Sequence, residues 1–223
     1  MKKTLFLLLL VTLAVSSCAT ARYYGGFAPE SVGREMALLG PVSTIYYLDE
    51  KNHESFSDTL SAFSETLIAD LVDELGVPVS GRIELNDDEK EEASAFLRYL
   101  ADRNEKHLDK FPIPGILDEV LEAQGYRYGL VLVTRGMTRD AKGYAKEVAT
   151  DALIGVATAI LTLGTFVVLP TSDAYSSQFF AAVLDAEADT IVFFNMTGPK
   201  EKHPLHPDLV RKQLSKLLKD FVK

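Results

Sequence analysis

The feature that most constrains the fold is a nearly unbroken apolar run at residues 128–138, YGLVLVTRGMT. Successive side chains of a strand point to opposite faces of a sheet, so apolar residues at almost every position need cover on both faces. Such strands are typical of the interior of sheets that helices cover on both sides. The run therefore predicts a central strand in a helix-covered sheet.

Shorter segments on either side of this run predict the rest of one layered domain. Further strands are predicted at residues 42–48, 77–85, 174–184 and 190–195. Helices are predicted at residues 53–76, from Asn86 past Leu100, at 116–123 and at 204–221. The order of these elements predicts an α/β or α+β fold, a single domain with a mixed β-sheet of about five strands flanked by helices.

Apolar side chains at three- and four-residue spacing assign a buried face to three of the helices. In the first helix the stripe comprises Phe56, Leu60, Phe63, Leu67, Ile68, Leu71, Val72 and Leu75. In the second it comprises Ala93, Phe96, Leu97 and Leu100. In the closing helix it comprises Leu209, Val210, Leu214, Leu217, Leu218 and Phe221, with lysines on the opposite side.

The amino terminus has the layout of a secretory signal. Lys2 and Lys3 precede an uncharged apolar run at residues 5–15, and small residues follow. This order of basic, apolar and small residues is typical of signal peptides, and the run is shorter than the roughly 20 residues that span a bilayer. Two alternatives stay open: an ordinary signal cleaved near Ala21, which would discard Cys18, and a membrane-spanning anchor.

The four residues Val-Ser-Ser-Cys at 15–18 resemble the lipobox of bacterial lipoproteins. The resemblance implies cleavage before Cys18, acylation of its sulfur and new amine with palmitate-type chains, and a firm anchor, since two or more chains hold stably. Because Ala19 follows rather than Asp, it also implies the outer membrane, facing the periplasm. The resulting division is a signal peptide at 1–17, a lipidated tether at 18–40 and a globular domain at 41–223.

Charge and cysteine content limit the partners of the chain. The net charge is −9, and it becomes −11 once Lys2 and Lys3 leave with the signal. An acidic body repels phosphate backbones, so no nucleic-acid partner is expected. We likewise expect no basic patch for anionic lipids, so the lipid on Cys18 is the expected membrane attachment. Cys18 is the one cysteine, which leaves none for a disulfide or a thiolate metal site.

Residues 152–170, ALIGVATAILTLGTFVVLP, lie in a stretch without charge between Asp151 and Asp173. We interpret the segment as an apolar contact surface that is buried, covered by a partner or in contact with the membrane, and these alternatives stay open. An exposed face of this kind predicts a homo-oligomer or an envelope protein partner. The side chains assigned to the surface are Leu153, Val156, Ile160, Leu163, Phe166 and Val167.

No strong catalytic motif occurs in the chain, so no enzymatic activity, cofactor or metal is expected. His203 and His206 form the only close histidine pair, and flanking prolines predict an exposed loop rather than a zinc site, which needs three or four ligands. Asp185, Glu187 and Asp189 alternate as calcium ligands do, but they lack the loop glycine and the distal glutamate. We therefore predict a hairpin loop there.

The segments YGLVLVTRGMT and FFAAVLDAEADTIVFFN, placed between a long amphipathic helix and a terminal helix, resemble one superfamily. It comprises envelope lipoproteins with the fold of the TolB amino-terminal domain, including the curli-secretion lipoprotein. The resemblance covers roughly residues 41–222, and its hairpin motif matches at Leu184, Asp185 and Ala186 but lacks the glycine. Segment 152–170 lacks the alternation of membrane hairpins, which argues against a pore.

The superfamily resemblance implies a non-catalytic part of a secretion or envelope assembly. The predicted function is therefore that of a lipid-anchored structural or accessory subunit, with a periplasmic module that binds a small ligand as the alternative.

Overall fold

A computed structural model of the chain describes residues 21–33, 35–49, 51, 53–103, 107, 110–139 and 175–222. These residues form one mixed seven-stranded sheet flanked by four α-helices. The predicted α+β class and single helix-covered sheet are therefore confirmed, although the sheet has more strands than the five expected.

The strands are β1 (Arg22–Tyr23), β2 (Met36–Leu48), β3 (Glu54–Phe56), β4 (Gly81–Ile83), β5 (Tyr128–Arg139), β6 (Tyr175–Asp185) and β7 (Thr190–Met196). The helices are α1 (Asp58–Glu74), α2 (Asp87–Arg103), α3 (Gly115–Gln124) and α4 (Pro207–Leu217). The strand order is β1-β7-β6-β5-β2-β3, and β4 also pairs with β2. β2 is parallel to β4 and β5, and the other pairs are antiparallel.

The two additional strands, β1 and β3, have two and three residues. Segments this short carry no alternating pattern, so sequence periodicity could not indicate them. β1 pairs with β7, and the Tyr24 and Val32 side chains are buried. Residues 21–40, which the sequence assigned to a tether, thus contribute two strand segments and core side chains to the domain.

The apolar run at 128–138 is confirmed as a central strand. β5 lies between β2 and β6, and its side chains divide between two cores. Val131 and Val133 pack in one core with α2 and α3, whereas Leu130 and Leu132 pack in the other with α1 and α4. All four are at most 1% exposed. The fold therefore consists of three layers, with the sheet between two pairs of helices.

Local signals fix most helix ends where the sequence placed them. Asn86 caps α2, since its Oδ1 accepts from Glu89 N at 3.0 Å while Glu89 Oε2 accepts from Asn86 N at 2.7 Å. Gly76 follows α1 with a φ of 68°, and Gly125 ends α3 with a φ of 71°. Such left-handed residues are a common way to end a helix, and glycine adopts them without strain.

α1 differs from its predicted orientation because its first half seals an edge of the sheet. On this edge β2 pairs with β4 as far as Leu39 and with β3 only from Tyr46 onwards. The residues in between, which include Ser43, have no strand partner on this edge. The Ile45 N–H donates to Ser61 Oγ at 3.0 Å, and Ser43 Oγ donates to Ser64 Oγ at 3.0 Å. Because serines face the sheet edge here, Phe63 is 54% exposed, which corrects the predicted apolar stripe.

We expect Ser61→Ala to destabilise the domain by about 1–3 kcal/mol, because it leaves the buried Ile45 N–H without an acceptor. Urea unfolding followed by circular dichroism measures the change. Thr59→Ala, at an exposed position of the same helix, is the matched control and should change stability by less than about 0.5 kcal/mol. Equal stability of the two variants would show that α1 does not seal this edge.

Candidate functional site

The residues that the sequence singled out for membrane attachment and apolar contact lie outside the described part of the chain. This holds for Cys18 and for the surface formed by Leu153, Val156, Ile160, Leu163, Phe166 and Val167. None of the described helices is long and apolar enough to cross a membrane. Within the described residues, no group of three or more His, Cys, Asp or Glu side chains is arranged to hold a metal ion.

The predicted histidine pair precedes α4, where His206 is the N-cap residue and is exposed. His203 is half-buried, its ring stacks on Tyr175 with 4.4 Å between centroids, and its Nδ1 accepts from Leu205 N at 3.1 Å. Burial, together with the charge of His206, lowers the pKa of His203. His203 thus holds the loop in shape as a neutral acceptor.

The three alternating acids lie at the β6–β7 turn, as predicted, and each has a protein partner. Arg127 donates to both carboxylate oxygens of Asp185, at 3.2 and 3.0 Å, and contacts Glu187 at 2.8 Å. Asp189 Oδ1 accepts from Ile113 N at 3.0 Å. These bonds tie the hairpin to the start of β5 and to the segment before α3, so the acids act as structural groups.

One groove lies between α1 and α2, beside the sealed edge of β2, and has a volume of about 570 Å³. Glu65 crosses it, because its carboxylate accepts from Ser43 N at 3.1 Å and from Lys90 Nζ at 2.8 Å. Its other charged side chains are Asp58, Asp87, Glu91 and Arg98. Carboxylates therefore outnumber cations in this groove, by four to two.

A second groove, which we call the lysine groove, lies between α4 and the segment that follows β7. Its volume is about 450 Å³. Five lysines border it, and its lining contains no Asp or Glu. The lining residues are Asn195, Met196, Thr197, Gly198, Lys200, Lys202, Leu209, Lys212, Gln213, Lys216, Leu217 and Lys219. Five of the 23 Lys and Arg residues of an acidic chain thus surround one concavity.

Hydrogen bonds hold the floor of the lysine groove. Asn195 is buried, and its Nδ2 donates to the Leu217 carbonyl at 2.6 Å, which satisfies an acceptor at the end of α4. Gln213 Nε2 donates to Ser177 Oγ at 3.0 Å, and Thr197 Oγ1 accepts from Phe179 N at 2.9 Å. α4, β6 and the segment after β7 are therefore fixed relative to one another, and the groove is preformed.

The lysines of the groove are exposed and have no carboxylate partner among the described residues. Cations in the last turn of a helix favour the helix dipole, which accounts for Lys216. It does not account for Lys200 and Lys202, because they come from the segment after β7. Like charges held close together repel, so a cluster without internal acids is suited to an anionic partner.

The sequence placed lysines opposite the apolar face of the last helix, but it could not bring Lys200 and Lys202 to the same place. Net charge was a misleading signal here. The expectation that an acidic chain offers no basic patch is wrong, since the lysine groove is one. The total of −9 does not show that the fold places five lysines around one concavity.

We expect the stability of the domain to fall as the pH drops from 7.5 to 5.5, in part through His203. Its folded-state pKa is lowered, so the unfolded chain binds the proton first below about 6.5, and stability is lost as pH falls towards the folded-state pKa. His203→Asn keeps an acceptor for Leu205 N and should flatten this dependence. Urea unfolding at both pH values tests it, and an unchanged slope in the variant would contradict the assignment.

Comparison with known proteins gives no family assignment. No protein-family model matches the sequence, and no curated protein matches it significantly. Two similar solved structures are PelC dodecamers from Paraburkholderia phytofirmans, a single-substitution variant in space group C2 and a second structure in space group P6. Identity is 10% and 11%, the TM-score is 0.42 for both, and 92% of this chain aligns with 99% and 98% of those chains. Similarity at this level carries no argument about what this chain does.

Proposed function

We propose that the chain is a lipid-anchored, non-catalytic lipoprotein of the cell envelope, a structural or accessory subunit of a secretion or envelope assembly. Its lipid is attached to Cys18, and the domain faces the periplasm from the outer membrane. This proposal retains the resemblance to lipoproteins with the TolB amino-terminal fold. The observation that carries it is the position of Cys18, the one cysteine, at the end of a signal-like run and four residues before β1.

The proposed anchor residue is four positions before β1 in the sequence. Arg22 and Tyr23 pair with Phe194 and Phe193 of β7. The Tyr23 ring contacts Phe193 with 5.2 Å between centroids, and its hydroxyl donates to Asp220. Burial and this bond to a carboxylate raise the pKa of Tyr23, so the hydroxyl stays protonated as a donor at neutral pH. A lipid on Cys18 would thus hold the domain through a strand with both backbone and side-chain attachments.

We expect Cys18→Ser to abolish acylation, which mass spectrometry of the amino-terminal peptide detects as the loss of the acyl mass. In membrane fractionation with a carbonate wash, the acylated wild-type chain should remain with the membrane. A chain whose residues 1–18 are replaced by an ordinary cleavable secretory signal is the control and should become soluble. An unacylated wild-type Cys18 would overturn the anchor, and a control that resists the wash would assign membrane contact to residues 152–170.

Self-association is the second part of the proposed function. Phe56 and Phe63, at β3 and α1, are 51% and 54% exposed. Large exposed aromatic side chains on an edge strand and on the helix that follows it are suited to a contact surface. We propose that a second copy of the chain or another envelope protein binds this surface, and that the apolar segment 152–170 contributes to the same contact.

We expect crosslinking of the wild-type protein in detergent to give a species larger than the monomer. Phe63→Ser should weaken this association at least about tenfold, the equivalent of 1.4 kcal/mol, by removing a large apolar contact. Thr59→Ser, exposed on the same helix, is the control. A clean monomer at native concentration, without a crosslinked partner, would count against an assembly subunit.

A small-ligand-binding module is the second candidate function, and the groove between α1 and α2 favours it. The groove lies between helices and a sheet edge, and its volume of about 570 Å³ falls in the range of small-molecule sites. A ligand-dependent rise in melting temperature would support this function over the first.

A further inference from the structure

We infer that the lysine groove is a docking surface for the anionic lipid headgroups of the membrane to which the chain is anchored. This inference rests on the proposed lipid anchor at Cys18 and adds an orientation to it: the α4 side of the domain faces the bilayer, and the acidic side points away.

The position of the anchor relative to the groove is the first argument. β1 runs antiparallel to β7, and Arg22 lies opposite Phe194, so Ala21 is at the end of β1 nearer to Asn195, which lines the groove. Ala21 packs against the core that α4 covers. Two residues, Ala19 and Thr20, separate Cys18 from Ala21, and the three Cα–Cα steps between them span at most about 11 Å. A lipid on Cys18 would therefore be attached to Ala21 through no more than about 11 Å of chain.

The charge of the groove is the second argument. Its five exposed lysines have no acidic residue among them in the lining, whereas the chain as a whole is acidic. An anionic surface attracts basic residues only within about a Debye length, roughly 8 Å at physiological ionic strength. The same surface would repel the carboxylates of the α1–α2 groove, which outnumber its cations. The asymmetry thus selects one orientation.

The shape and composition of the groove are the third argument. Beneath the lysines the floor is largely apolar, with Met196, Leu209 and Leu217, and its hydrogen bonds hold it open in advance. Lysine stems cover apolar surface while their ammonium groups reach outward. A covalent anchor also raises the local concentration of the headgroups, so weak individual contacts suffice to orient the domain.

Vesicle sedimentation tests the inference with a chain that carries no acyl group. The probe is the chain 18–223 with Cys18→Ser, mixed with vesicles of phosphatidylglycerol and phosphatidylcholine, or of phosphatidylcholine alone. Each lysine near an anionic surface strengthens binding about fivefold. We therefore expect Lys212→Gln with Lys216→Gln to weaken binding to the anionic vesicles about 25-fold. The control, Lys51→Gln with Lys110→Gln, changes net charge equally at exposed positions away from the groove and should bind like the parent chain.

Several outcomes would overturn the inference. Equal losses in both double variants would mean general electrostatic attraction, and no loss in either, or equal binding to phosphatidylcholine alone, would mean that the lysines do not dock. Groove-dependent retention on heparin without binding to anionic vesicles would assign the groove to a soluble anionic polymer instead. Because the probe carries no acyl chain, failure here is distinct from failure of the anchor, which the mass of the amino-terminal peptide reports.

A second measurement uses the unaltered acylated protein in its membrane and needs no variant. An amine-reactive reagent should label Lys212 and Lys216 less than Lys51 and Lys110, and detergent should remove the difference. Equal labelling of the four residues in the membrane would overturn the proposed orientation.

Discussion

The pairing of β2 with β5 is the constraint on which the remaining structure depends. The two parallel strands run in register from Met36 and Tyr128 to Leu48 and Arg139, with a bulge between Leu39 and Val42. Both strands bury side chains on both faces, so they need a helical layer on either side. Each fully buried Val or Leu contributes about 1.5–3 kcal/mol. α1 and α2 cover these two strands on opposite faces, whereas α4 packs against the neighbouring strand β6.

The edges of this sheet carry the features that bear on function. At the β2 edge, Ser61 and Glu65 of α1 accept from the backbone N–H groups of Ile45 and Ser43, which a further strand would otherwise bond, and this protects an exposed edge. At the β7 edge, β1 pairs with two residues of β7. The segment that follows β7 lies beside α4, and the two together line the lysine groove. Acidic groups gather at the first edge and lysines at the second, so one sheet separates two grooves of unlike charge.

Much of this fold could be predicted, because its strongest elements carry local signals. The run at 128–138, the start of the second helix at Asn86 and the acidic turn after β6 all lie where the sequence placed them. The errors are also local in origin. β1 and β3 are too short for a period, and the exposed Phe63 follows from helix α1 meeting a sheet edge rather than a sheet face.

The sequence by itself determined the layered α+β class, the start of α2, the ends of α1 and α3, and the hairpin, since these depend on neighbouring residues and on apolar periodicity. The lysine groove was decided by the tertiary structure alone. Lys200 and Lys202 join Lys212, Lys216 and Lys219 only because α4 folds back over β6 and β7. Burial of Val210, Leu214 and Leu217 fixes that contact, and the lysines on the exposed side are carried with it. Net charge sums over the whole chain, whereas a binding surface depends on which charges the fold places together.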